Sequence, residues 1–161
     1  MRRKREELKN SRRKEMIGFR KIDPEVAMEK NTWFHLGRNS CEEILYCLRR
    51  IADPCEEHVD NNFVPLSKEQ VKEYIPLRDT VLFLLRRTEK ILQTDSYDEV
   101  DEVRREAEEL KDCLEKAREA QMQRMQSSKE NIAVAYLYLN LLQETRELTS
   151  SLRHLLRASK G

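Results

Sequence analysis

Between Val100 and Gln121 the chain repeats apolar or small residues in steps of three and four without an error: Val100, Val103, Ala107, Leu110, Leu114, Ala117 and Gln121. Such steps keep side chains on one side of a 3.6-residue turn, so the segment can bury this seam only as an α-helix. The seam is narrow and thickly coated with Glu and Lys, which predicts a coiled-coil-like helix within 97–126 that packs on one side only. The rest of the chain is under the same constraint. With 3 Gly and 4 Pro in 161 residues and 38% charged side chains, it lacks the turn formers and β-branched runs of a sheet protein. The fold class is all-α: an up-and-down antiparallel bundle of about four long helices.

Punctuation along the chain sets the helix boundaries. Asp23 is placed to cap a helix that has Pro24 in its first position. From there Val26, Trp33, Gly37, Ser40, Ile44, Cys47 or Leu48, Ile51, Cys55 and Val59 form a buried stripe, with Pro54 expected to kink the helix or begin its last turns. Asp60, Asn61, Asn62 and Pro65 make the next turn. Ser67 followed by Gln70 is a capping box, and the helix it opens carries a stripe from Val71 to Leu92. Pro76 lies inside that stripe and predicts a kink or a short preliminary turn. The last helix, from Asn131 to Arg157, is apolar over most of its circumference. Ile132, Ala135, Leu139, Leu142, Leu148, Leu152 and Leu155 line one face, and Val134, Tyr136, Tyr138 and Leu141 widen it. A helix of that kind sits centrally or meets another protein, and those last four residues are the candidate face for dimerisation or docking.

Charge divides the chain. Residues 1–21 hold ten Lys/Arg and three Glu, a charge of +7 beneath an overall +1. Residues 1–22 are therefore read as a basic leader and 23–161 as the bundle. Arg2, Arg3, Lys4, Arg5, Arg12, Arg13 and Lys14 are its candidate contacts to an anionic surface. No apolar run approaches the ~20 residues of a membrane span. The first residues lack the apolar centre of a secretion signal, so the expected compartment is the cytoplasm and the four cysteines are expected to be free, buried thiols.

The stretch from Asn31 to Leu66 concentrates the unusual side chains: Trp33, His35 and His58, and Cys41, Cys47 and Cys55. Cys55 and His58 lie one turn apart with Asp60 after them, which makes these three the candidate metal ligands. A closed zinc site needs four ligands, and no second pair with matching spacing exists. A thiolate nucleophile needs a cationic neighbour, but a cysteine on an apolar stripe serves as a small hydrophobe, so no catalytic role is assigned and no cofactor beyond a possible metal ion. The carboxylates Asp98, Asp101, Glu102, Glu106 and Glu109 lie off the seam of their helix and are expected to face solvent. Trp33, His35, Arg38 and Asn39 form a mixed aromatic and polar cluster suited to an interface or a core.

The string AMEKNTWFHLGRNSCEEILYCLRRIADPCEEHVDNNFVPLS resembles the cytosolic, PhoU-like C-terminal region of bacterial inorganic phosphate transporters, above all the Bacteroides-type proteins. The segment AYLYLNLLQETRELTSSLRHLLRASKG looks like the closing helix of the same domains, and the likeness is best over residues 12–66 and 131–161. The resemblance implies a non-enzymatic regulatory domain that acts by contact with a phosphate permease, fused or separate, at the inner face of the cytoplasmic membrane. A homodimer is a further implied arrangement. Relatives of this kind bind metal clusters through acidic ExxxD or DxxxD motifs. The nearest strings here, Asp98 to Glu102 and Glu102 to Glu106, lie outside the matching segments, so no ligand is carried across. If a membrane span preceded Met1, residues 1–21 would lie against the anionic inner leaflet, where Lys and Arg concentrate. The alternative is a freestanding helical adaptor whose basic segment binds anionic lipid or nucleic acid, although the leading reading expects no nucleic acid.

Overall fold

The computed structural model describes Glu7, residues 24–61 and residues 64–160, and all regular structure among them is helical. Four helices follow one another: α1 Pro24–Asp60, α2 Lys68–Thr94, α3 Val100–Ser127 and α4 Ile132–Lys160. Arg50 and Glu144 meet, as do Gly37 and Ala158, so α1 runs antiparallel to α4. Gln70 pairs with Gln121 and Arg87 with Glu106, which fixes α2 antiparallel to α3. The result is the up-and-down bundle that the periodicities predict.

All seven seam residues of α3, from Val100 to Gln121, are buried. Pro24 begins α1 as expected, whereas Asp23, its expected cap, lies outside the described residues. The capping box of α2 closes in both directions. Gln70 N donates to Ser67 Oγ at 3.1 Å, and Ser67 N donates to Gln70 Oε1 at 2.9 Å. At the other end of α2, Asp95 takes a left-handed conformation (φ 53°), which a short polar side chain tolerates, and its carboxylate accepts from Tyr97 Oη.

The two internal prolines do not divide their helices; α1 runs through Pro54 and α2 through Pro76. Proline has no N–H, so Pro54 leaves the carbonyl of Arg50 without its helical donor. That carbonyl is met from α4, where Asn140 Nδ2 donates to it at 3.1 Å. The Arg50 guanidinium reaches the same helix one turn on, donating from Nε to Glu144 at 2.8 Å. The polar residue that interrupts the greasiest stretch of the chain therefore repairs the defect that Pro54 makes in its neighbour.

The breadth of α4 also has an internal cause, since it packs against all three other helices. Val134, Tyr138 and Leu141 are buried within the bundle, and of the four residues expected to form a docking face only Tyr136 is exposed. Each fully buried leucine along this helix, such as Leu142, Leu148 and Leu152, contributes about 1.5–3 kcal/mol of burial. Four stripe residues expected inside, Val59, Val71, Leu92 and Ile132, lie near helix ends and stay exposed. The acidic run of α3 is not merely solvated. Glu99, Glu102 and Glu106 close around the Arg87 guanidinium of α2, which is only 15% exposed.

Candidate functional site

The two ends of the bundle differ. At one end, the start of α2, the last turns of α3 and the start of α4 are joined by a buried polar network. Gln70 Nε2 donates to Gln121 Oε1 at 3.1 Å, and Gln121 Nε2 donates to Glu130 at 2.6 Å. Arg124 donates to the same Gln121 oxygen at 2.8 Å and to Glu73, with its guanidinium over the ring of Tyr138. Tyr138 donates in turn to Glu73. Burial, reinforced by that carboxylate, pushes the Tyr138 phenol far above its ordinary range. Nearby, the Thr145 hydroxyl gives its proton to the Leu141 carbonyl at 2.6 Å, so Tyr74 Oη must be the donor in its 2.8 Å bond to Thr145. Fully paired polar groups of this kind hold helices in one register. This end is closed.

Among the described residues, the opposite end is open. It is formed by the first half of α1, the last turns of α2 and the end of α4, and clefts indent it. One, of about 590 Å³, lies between α1 and α4 and is walled by Trp33, Asn39, Glu43, His154 and Arg157. A second, of about 410 Å³, holds Trp33, Phe34, Arg38 and Tyr97. A third, of about 640 Å³, is an apolar groove between α1 and α2, floored by Leu152 and Leu155 of α4. The groove exists because α1 packs on α4 rather than closely on α2. Met28 is 75% exposed and Leu36 47%, two apolar side chains among the exposed Glu29, Lys30, Thr32 and Asn39 of α1 at this end.

Arg38 is the most unusual side chain here. It is 5% exposed and gives Nε and Nη2 to Glu42 at 3.1 Å, while its Nη1 is buried with no hydrogen-bond partner. The sequence cluster Trp33, His35, Arg38 and Asn39 falls in this region, with Phe34 and His35 in ring contact at 5.8 Å. Gly37 stands against Ala158. A methyl on it would meet the Ala158 Cβ at 3.9 Å, an ordinary contact, so glycine is not needed there for space.

The candidate metal ligands take other work. His58 Nε2 lies 2.7 Å from the Val64 carbonyl. A carbonyl only accepts, so Nε2 carries a proton and ties α1 to the approach of α2. Cys55 is half-buried and its thiol is pushed up by burial, while Asp60 is exposed. Among the described residues no group of three or more His, Cys, Asp or Glu is placed to hold a metal ion. The Cys47 thiol is fully buried and pushed up to about 11, mainly by desolvation. Cys113 is exposed, against the expectation of four buried thiols. Arg2, Arg3, Lys4, Arg5, Arg12, Arg13 and Lys14 lie outside the described residues. No described helix is long and apolar enough to cross a membrane.

Sequence reasoning missed the Gln70–Gln121 pair, the Arg87 clamp and the pairing of Asn140 with Pro54. Only the last left a trace in the sequence, as a lone asparagine inside an apolar run and a proline inside a helical one. No family model, curated protein or solved structure matches this chain.

Proposed function

We propose that the chain is a non-enzymatic regulatory bundle of the PhoU-like kind, which modulates an inorganic phosphate transporter by protein–protein contact at the inner face of the cytoplasmic membrane. The observation that carries this reading is the asymmetry of the bundle. One end is locked by the Gln70–Gln121–Arg124 network, whereas the other presents clefts and the exposed Met28 and Leu36 just after the basic leader. Apolar side chains beside a run of Lys and Arg suit a surface that meets a membrane protein at the edge of an anionic leaflet. The resemblance adds support, because its two best segments contain α1 and α4, the pair of helices with the most extensive mutual packing. The likeness thus covers one contiguous unit, and that unit supplies two sides of the open end.

Co-sedimentation tests the reading. The full chain is mixed with protein-free anionic vesicles and with membranes that contain a phosphate permease. Binding to plain vesicles is expected to fade with salt and to be lost when Arg2, Arg3, Arg12 and Arg13 are replaced by Glu. Permease membranes are expected to retain a salt-resistant component that Leu36→Glu removes. Equal binding to both membranes at every salt concentration would contradict a transporter partner.

A further inference from the structure

The cleft between α1 and α4 holds polar groups that the bundle itself leaves unused. Arg157 and His154 stand exposed on its wall, and among the described residues neither has an ion-pair or hydrogen-bond partner. Ser151 lies one turn further back on α4 and is only 4% exposed, yet its hydroxyl makes no hydrogen bond either. Elsewhere on the same helix, the hydroxyls of Thr145, Thr149 and Ser159 each give their proton to the carbonyl four residues back. That of Ser151 opens on the cleft it lines. A polar atom so deeply set and left unpaired in the bundle marks a place for a partner from outside it.

We propose that this cleft binds a small phosphate monoester carrying a flat ring, of the nucleoside monophosphate kind. Ser151, His154 and Arg157 recur in steps of three, so a hydroxyl, an imidazole and a guanidinium line one face of α4 over about 9 Å. The acid on the wall, Glu43, is already taken by Arg50 Nη2 at 2.9 Å, so the charge left over in the cleft is positive. A guanidinium with both edges free matches the oxygens of a phosphoryl group, and a hydroxyl beside it adds a donor. Arg157 lies in the last turn of α4, where a cation also suits the helix dipole. That effect fades within the turn and does not account for His154 or Ser151.

The ring follows from the other wall. At about 590 Å³ the cleft is in the range of small-molecule sites and leaves a bare oxyanion most of its space unfilled. Across from the donors, α1 contributes Trp33 and Leu36, an apolar surface on which a flat ring stacks. The proposal stands apart from the proposed function, because it needs neither a permease nor a membrane.

Calorimetric titration of the full chain with AMP, adenosine and inorganic phosphate tests it, with the emission of Trp33, the one tryptophan of the chain, as a second readout. AMP is expected to quench Trp33 and to bind at least about tenfold more tightly than either adenosine or inorganic phosphate. Arg157→Gln and His154→Gln change exposed side chains without partners, so the melting temperature should hold while each weakens AMP binding by about tenfold. Ser151→Ala should weaken it by about fivefold. Absence of AMP binding would overturn the proposal, as would inorganic phosphate or adenosine binding as tightly as AMP. So would AMP binding that the Arg157 and His154 variants leave intact, since the phosphate would then be held elsewhere. No vesicle or permease enters these titrations, so their failure is distinct from failure of membrane binding.

Discussion

Replacing Asn140 with Ala removes the amide that serves the Arg50 carbonyl, and the cost follows from what Pro54 has already taken away. In an uninterrupted helix that carbonyl would accept from residue 54, and the loss of Asn140 would expose a group with another partner. Here the bond from Asn140 Nδ2 at 3.1 Å is the replacement for that donor. A net hydrogen bond is worth about 0.5–1.5 kcal/mol, and stranding a buried acceptor costs about 1–3 kcal/mol. The site is partly buried, so water recovers some of this, and we expect Asn140→Ala to destabilise the bundle by about 1–2 kcal/mol. For a chain of this size that lowers the melting temperature by roughly 2–6 °C. Pro54→Ala restores a backbone N–H to α1. The gain from removing an interior proline, about 3 kcal/mol, is partly offset by a freer unfolded chain, leaving a stabilisation of about 2 kcal/mol. With that N–H present, Asn140→Ala should cost no more than about 0.5 kcal/mol, a coupling near 1 kcal/mol. Urea unfolding of the four proteins in the cycle, followed by helical circular dichroism and by Trp33 emission, measures this. Additive costs within about 0.3 kcal/mol would refute the repair.

Gly37→Ala should raise stability by about 0.5–1 kcal/mol, because the position is helical and the new methyl meets Ala158 and Leu155 only at ordinary distances; thermal melts check it. Arg87→Gln should lower stability by about 1 kcal/mol at low salt and by less at high salt, since Glu99, Glu102 and Glu106 lose their shared cation. The Tyr74 and Tyr138 phenols and the Cys47 thiol are all raised by burial, so their contribution is full below their unfolded values and lost as pH rises. Urea midpoints should therefore fall between about pH 8 and about pH 11, and Tyr138→Phe should flatten that fall. In timed alkylation of the native protein, Cys113 should react first and Cys47 only on unfolding.

Why some of this was legible and some not is physical. The α3 seam could be read residue by residue because a helix that packs on one side has a single period, with no competing face to blur it. In α4 the wide apolar face was visible but its partner was not. A helix with three neighbours inside the bundle has the same pattern as one that meets an outside protein, so Val134, Tyr138 and Leu141 resembled a docking face and are core. Pro54 and Pro76 are expected to kink their helices, to begin a last turn or to follow a preliminary one, and both helices run through them. Local rules describe what Pro54 removes from its own helix; they cannot see an amide supplied from residue 140. The closed end escaped notice for a similar reason, since Gln70 was legible as a cap while its other bond, to Gln121, spans 51 residues. The open end was half visible. Trp33, Arg38 and Asn39 stood out by type, but the clefts around them arise from how α1 leans on α4 and away from α2.

We propose that one end of this bundle makes its contacts, whereas the Gln70–Gln121 network holds the other together. Amide hydrogen exchange, with the full chain free and bound to permease-containing membranes, tests it most directly. Binding should slow exchange in residues 28–45 and 151–160 and leave residues 67–74 and 121–131 unchanged. Protection centred on the Gln70–Gln121 end, or on the exposed Tyr136, with none at Trp33 and Leu36, would contradict it.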